Sequence, residues 1–270
     1  ASVTTSCLLS VTETQQTMEK DFTVQPGDRL MIDVDRGSID LKTGDDNLLR
    51  VEIQRRVRRL SQSQAEEVFA RHEVRLTQED GTVSITARTD RDSRYWRRIQ
   101  NNLSVRYEVL LPRRFDVDLK TSGGSIQIEE LAGEVKARTS GGSVRLGPID
   151  GEVQVSTSGG SISVKSATGA VRVKTGGGPI EVGDVHGPLD AQTSGGGIHV
   201  DSARSAATLN TSGGNIHAEH VYSTLIAKTS GGGIYAGFEE TPGGDCELKT
   251  SRGRISVTLP VEYSVKLDAQ

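Results

Sequence analysis

One tetrapeptide, Thr-Ser-Gly-Gly, returns every eighteen residues and constrains the fold more tightly than any other feature of the chain. It begins at Thr121, Thr139, Thr157, Thr193, Thr211 and Thr229, with variants at Thr175 (Thr-Gly-Gly-Gly) and Thr250 (Thr-Ser-Arg-Gly). Only the last interval is longer, because extra residues fall between Glu239 and Gly243. A fixed period of this length means stacked, near-identical units.

Within each unit apolar and polar residues alternate, as in Val135-Lys136-Ala137-Arg138 before the tetrapeptide and Val144-Arg145-Leu146 after it. Period two means strands. Aligned, the units give four columns without a charged member, starting at Val117, Leu119, Ile126 and Ile128 and ending at Cys246, Leu248, Ile255 and Val257. Such a unit holds two strands of about five residues and two corners, at roughly 3.3 Å rise per residue. It leaves no room for a helical crossover of at least about 10 residues. The expected fold is therefore all-β, a parallel β-solenoid of 18-residue coils. Each strand should pair in parallel with its equivalents roughly 4.8 Å above and below.

The glycines of the tetrapeptide mark one corner: Gly123 and Gly124, Gly141 and Gly142, Gly159 and Gly160, then Gly177, Gly195, Gly213 and Gly231. Positive φ is expected there. Thr and Ser at this corner are placed to bond the backbone of the next coil. A second corner recurs at Gly133, Gly151, Gly169 and Gly187, and a short third side is expected near Leu131, Ile149, Ala167 and Val185. A narrow interior of Val, Ile and Ala also accounts for 31 glycines and only 4% aromatic residues.

Residues 1–104 depart from the period and read as an irregular N-terminal cap, with regular repeats over 105–270 as one continuous unit. Terminal units of solenoids are atypical because they close off the core. Leu30, Ile32 and Val34, then Asp35-Arg36-Gly37-Ser38, Ile39 and Leu41 read as a degenerate first coil, which Leu49 to Ile53 continues. Ser63-Gln64-Ala65-Glu66 has the form of a capping box. It predicts one short helix near 63–73 with Ala65, Val68, Phe69 and His72 on one face. Val74 to Gln78 and Thr82 to Arg88 read as strands joined at Asp80-Gly81, and Asn102 to Leu111 leads through Pro112 into the stack. At the other end, Leu267-Asp268-Ala269-Gln270 repeats the approach to a corner seen at Leu189-Asp190-Ala191-Gln192. An uncovered edge there is a candidate for self-association.

These repeats, with the lead-in Val109-Leu110-Leu111-Pro112 and Phe115-Asp116-Val117-Asp118-Leu119, resemble the bacterial adhesin-like family known as toast-rack domains, domain of unknown function 4097. The resemblance covers 30–270 loosely and 105–259 well. It implies a β-solenoid exported to, or held at, the cell envelope. No catalytic residue belongs to the family pattern, so the resemblance supplies none.

Two outward clusters are candidate sites. His199 and His217 are followed in their column by Tyr235, with Asp201 and Glu219 two residues on, a set that can hold a divalent metal or stand as a solvated polar ladder. Arg94, Tyr95, Trp96, Arg97 and Arg98 contain the only Trp, within a stretch, 50–114, of fifteen arginines and no lysine against nine acidic residues. Arg with aromatics suits anionic glycans, lipid headgroups or an acidic envelope protein, and the same cluster could instead cover the end of the solenoid.

Other classes are disfavoured. A net charge of -4 gives no general affinity for nucleic acid. No apolar run approaches the roughly 20 residues of a membrane-spanning helix, and residues 1–10 lack the basic and apolar regions of a signal peptide. Cys7 and Cys246 lack metal-ligand spacing and are expected unpaired. No repeated acidic pair, nucleophile elbow or phosphate loop is present. The expected role is a non-catalytic scaffold or adhesin-like binding domain without a cofactor. The rival reading is a polysaccharide-active β-helix enzyme.

Overall fold

The computed structural model describes residues 13–44, 47–90 and 100–261. Two sheets, one of 13 strands and one of 11, enclose a single continuous core. From β8 (Asp116–Lys120) and β9 (Ile126–Ile128) onward, the chain alternates between the sheets, laying down one coil per repeat. All pairing in this part is parallel and follows the repeat, apart from one register shift where Val221 meets Phe238. Val144 lies opposite Ile162, Ile162 opposite Ile180, and the column continues through Ile198 and Ile216 to Ile234. The expected solenoid is the observed one.

The four apolar columns are buried down to Leu225, Ala227, Ile234 and Ala236. The final coil departs from expectation. Cys246 occupies its column, and its sulfur accepts a hydrogen bond from the Leu225 N–H at 3.3 Å, but it is exposed and free. Ile255 and Val257 are likewise 41% and 40% exposed. Among the described residues this coil has a neighbour on one side only, so position in a column does not bring burial. The third side is real: Ile149, Ala167, Val185 and Ala203 are buried and paired.

The tetrapeptide corner works differently from the expectation of positive φ. None of its glycines has φ between +20° and +160°. The second glycine of each pair is required by proximity instead. A Cβ on Gly142, Gly160, Gly178 or Gly196 would lie 2.0–2.1 Å from the carbonyl oxygen of the equivalent glycine one coil earlier. The first glycine meets far less: nothing within 4 Å at Gly123, and 3.9 Å at nearest for Gly159.

Close approach of the backbones lets a threonine clamp them. Thr139 Oγ1 donates to the Gly124 carbonyl at 2.8 Å and accepts from the Gly142 N–H at 3.3 Å. The same pair of bonds recurs at Thr157, Thr175, Thr193, Thr211 and Thr229. Each hydroxyl thus reaches back to the preceding coil rather than forward to the next. Thr157→Val keeps the shape but leaves the Gly142 carbonyl and the Gly160 N–H without this partner. A loss of about 1–3 kcal/mol is expected, measured by urea unfolding against Thr157→Ser, which retains the hydroxyl.

The cap follows a less predictable path. β2 (Arg29–Val34) and β3 (Ser38–Gly44) form the degenerate first coil, pairing in parallel with β8 and β9. Gly37 fills the corner, its φ at +108° and its carbonyl accepting from Thr121 Oγ1 at 2.9 Å. Residues 49–53, however, do not continue that coil. They belong to β4 (Leu48–Arg58), which runs antiparallel to both β1 (Glu13–Thr23) and β7 (Leu103–Pro112). Their alternation suits any half-buried strand, so pattern alone does not assign the partner.

The cap of helix α1 (Gln62–Arg71) lies two residues before the expected one. Its capping box is Ser61 with Gln64, not Ser63 with Glu66, and His72 follows the helix as its C-cap. Ala65, Val68 and Phe69 pack inward as expected. β5 (His72–Glu79) and β6 (Thr82–Thr89) make the expected hairpin, turning at Asp80 (φ 47°) and Gly81 (φ 70°). β6 and β7 then pair in parallel with β2 and β3, on the face away from β8 and β9. The strands Thr82–Thr89 and Leu103–Pro112 are therefore stacked outside the coil at 29–44, opposite the side on which the repeats are laid.

Candidate functional site

The Arg94 to Arg98 cluster and the approach to a further corner at 265–270 lie outside the described residues, as does Cys7. Among the described residues, three features bring together side chains with chemistry to offer.

The first is the histidine ladder. His199, on strand Ile198–Ala203, and His217, on strand Ile216–Val221, are paired across neighbouring coils, and their rings stack with centroids 5.2 Å apart. Tyr235 continues the stack at 4.5 Å from His217. Nε2 of His199 lies 2.8 Å from Asp201 Oδ1 and 3.9 Å from Glu219 Oε1, and Nε2 of His217 lies 3.3 Å from that same Glu219 oxygen. The repeat thus converges four residues that the sequence only places in neighbouring columns.

The second is an open groove of about 480 Å³ along the tetrapeptide corner of the later coils. It is lined by the outward row Lys174, Gln192, Asn210, Lys228 and Lys249 and by the serines of the motif, Ser194, Ser212, Ser230 and Ser251. The serines are exposed, since the neighbouring threonines, rather than they, clamp the backbone. Lys228 is paired with Glu247 at 2.6 Å. Lys174 and Lys249 are exposed and have no acidic partner among the described residues. In the sequence this groove is hidden, because a column mixing Lys, Gln and Asn looks like ordinary surface; its signal is the period itself, which aligns those residues beside a row of serines.

The third is a buried polar cluster in the cap. Arg55 is 7% exposed, and its Nη1 donates to the carbonyls of Phe69 and His72, both at 2.9 Å, so the guanidinium closes the C-terminal end of α1. Its Nη2 donates to Gln16 Oε1, and the group sits 5.2 Å above the Phe69 ring. His72 is 1% exposed with neither ring nitrogen hydrogen-bonded. Burial first, and the Arg55 charge second, push its pKa down to about 4. Tyr107 is fully buried, and burial raises its phenol pKa. A charged, solvent-excluded cluster with its imidazole kept neutral serves the integrity of the cap.

A family model described as Toastrack DUF4097 matches residues 27–219 and again 152–270. The chain belongs to this family. None of the curated proteins matches the sequence of this toast-rack protein. Among solved structures it is similar to a candidate lipid-binding protein of Parabacteroides distasonis, with 16% identity, 90% of this chain and 97% of the other covered, and a TM-score of 0.52. It is also similar to a candidate adhesin of Bacteroides fragilis, with 12% identity, 90% and 96% covered, and a TM-score of 0.49. At such identity the first likeness concerns the fold. No helix of the toast-rack chain, among the described residues, is long and apolar enough to cross a membrane.

Proposed function

We propose that this toast-rack protein is a non-catalytic binding module of the bacterial cell envelope, and that its ligand is an extended polyanion, in the first instance an anionic glycan, lying along the corner groove. The observation that carries this reading is the groove's periodicity. Lysines, amides and hydroxyls recur there at the spacing of the coils, roughly 4.8 Å, and a linear polymer with regularly spaced charges can meet them in the same way at each step. Such a surface binds through many weak contacts on one face and needs no enclosed pocket.

Binding of a polyuronate, compared with a neutral glucan, tests the reading. The polyuronate should bind and the neutral polymer should not, with affinity falling as salt screens the lysines. The triple variant Lys174→Glu, Lys228→Glu, Lys249→Glu should lose at least about tenfold in affinity, one decade being about 1.4 kcal/mol, with an unchanged melting temperature. Equal binding by the variant, or none by the parent, would sink the reading. Vesicles with anionic headgroups form a second arm that identifies lipid instead of glycan. Release of shorter chains from the polyuronate would move the protein to the enzyme class.

A further inference from the structure

We propose that His199, His217 and Glu219, completed by Asp201, form a binding site for one divalent transition-metal ion of the zinc class. The site is separate from the corner groove and does not depend on it.

Its donor set is the argument's foundation. One nitrogen from each imidazole and one oxygen of Glu219 lie within 4.8 Å of one another, and Asp201 Oδ1 stands 2.8 Å from His199 Nε2. Two imidazoles and two carboxylates make a four-ligand nitrogen and oxygen set of the kind zinc takes, at roughly 2.0–2.2 Å from each donor. Three of these donors lie within 4.8 Å of one another on one patch of the sheet face, with Asp201 beside the first. Modest χ rotations would shorten the longer separations, which side chains roughly half exposed on an outward sheet face allow. Tyr235, stacked on the far side of His217, restrains that ring from swinging away.

A second observation is the local charge. Asp201 and Glu219 occupy the same position in adjacent coils, and the coils on either side place Gly183 and Gly237 there. Neither carboxylate pairs with a lysine or arginine among the described residues; their partners are the two histidines. Like charges on neighbouring strands destabilise each other. Of the other exposed carboxylates beside a histidine, Asp184 is bound by Arg204 at 2.9 Å, whereas Glu239 has, among the described residues, only His220 at 2.6 Å. A cation between the rings would neutralise a carboxylate pair whose ionic partners among the described residues are the two histidines alone. Glycines on both sides leave it room to be reached from solvent.

Titration of the untagged protein with zinc chloride by calorimetry, with cobalt(II) absorption as a report on coordination geometry, tests the site. One equivalent should bind, and cobalt should give the intense visible bands of a four-coordinate ion. The double variant His199→Ala, His217→Ala should abolish uptake, and Asp201→Asn should weaken it by about tenfold. His220→Ala should leave uptake unchanged, because His220 is engaged with Glu239 at 2.6 Å outside the cluster. Circular dichroism identifies any variant that fails to fold. No stoichiometric uptake by the parent, uptake that survives the double variant, or equal loss with His220→Ala would each overturn the assignment.

Discussion

Gly160→Ala is expected to lower stability by about 3 kcal/mol or more, while Gly159→Ala, one residue earlier, changes it by no more than about 1 kcal/mol. The two substitutions add the same methyl group to adjacent residues of the same corner. At Gly160 the new Cβ would stand 2.0 Å from the Gly142 carbonyl oxygen and 2.4 Å from its carbon. Backbone, unlike a flexible side chain, has nowhere to move unless the coils separate, and that separation would also stretch the Thr157 bond to Gly142. At Gly159 the nearest atom is the Ser140 oxygen at 3.9 Å, an ordinary contact. Urea unfolding of both variants beside the parent measures the difference. Equal losses would mean that the glycine pair is chosen for flexibility and not for the spacing of the coils.

Acid should weaken the fold through one residue of the cap. His72 is neutral in the folded protein, with its pKa pushed down to about 4 from 6.5 by burial and by the Arg55 charge. Between those two values the unfolded chain binds a proton that the folded chain refuses, so stability is complete above about pH 6.5 and declines as pH falls toward 4. The full decline attributable to this group is about 3 kcal/mol, since one pKa unit corresponds to about 1.4 kcal/mol. His72→Leu removes the titration. Unfolding free energies of parent and variant are measured from pH 7 down to 4: the parent's value relative to the variant's should fall by this amount, because the variant does not lose this share. Parallel curves would show that His72 finds a partner for its proton in the folded state. The expected site of failure is the cap, where Arg55 and the C-terminal end of α1 would face a new positive charge.

The regular coils were legible because the chain states the same geometry repeatedly. Each of the columns beginning at Val117, Leu119, Ile126 and Ile128 carries the same alternation, and a one-residue slip would turn every member outward. Even the worn corner at Gly37 could be read from its neighbours Val34 and Ile39. The cap lacked that redundancy. The strand Leu48–Arg58 alternates as well as any repeat strand, yet its partners β1 and β7 are chosen by long-range fit. Ser61 and Ser63 offer equivalent caps to the helix, each followed three residues later by Gln or Glu, and the packing of Ala65, Val68 and Phe69 selects the first.

The glycines were placed correctly and explained wrongly. Glycine is favoured both where φ is positive and where backbones touch, and a sequence does not say which. The histidine ladder was visible from the period, whereas the approach of Glu219 to both rings depends on side-chain directions that spacing alone does not carry. In the sequence His72 is one more residue on a helical face. Its burial follows from the start of β5, which only the fold reveals.

Most of the cap, from Leu48 to Pro112, is an insertion between the first coil and the repeats. The polypeptide leaves the solenoid after Gly44 and rejoins it at Asp116 on the opposite side of the coil it has just completed. During synthesis that coil therefore emerges with both of its faces bare. Residues made next supply one of its neighbours and residues made later the other, so the stack extends from this coil in two directions. A ribosome-bound chain halted just after Gly44 should have no stable structure to show, and one halted after the first two repeats should already hold a finished ceiling.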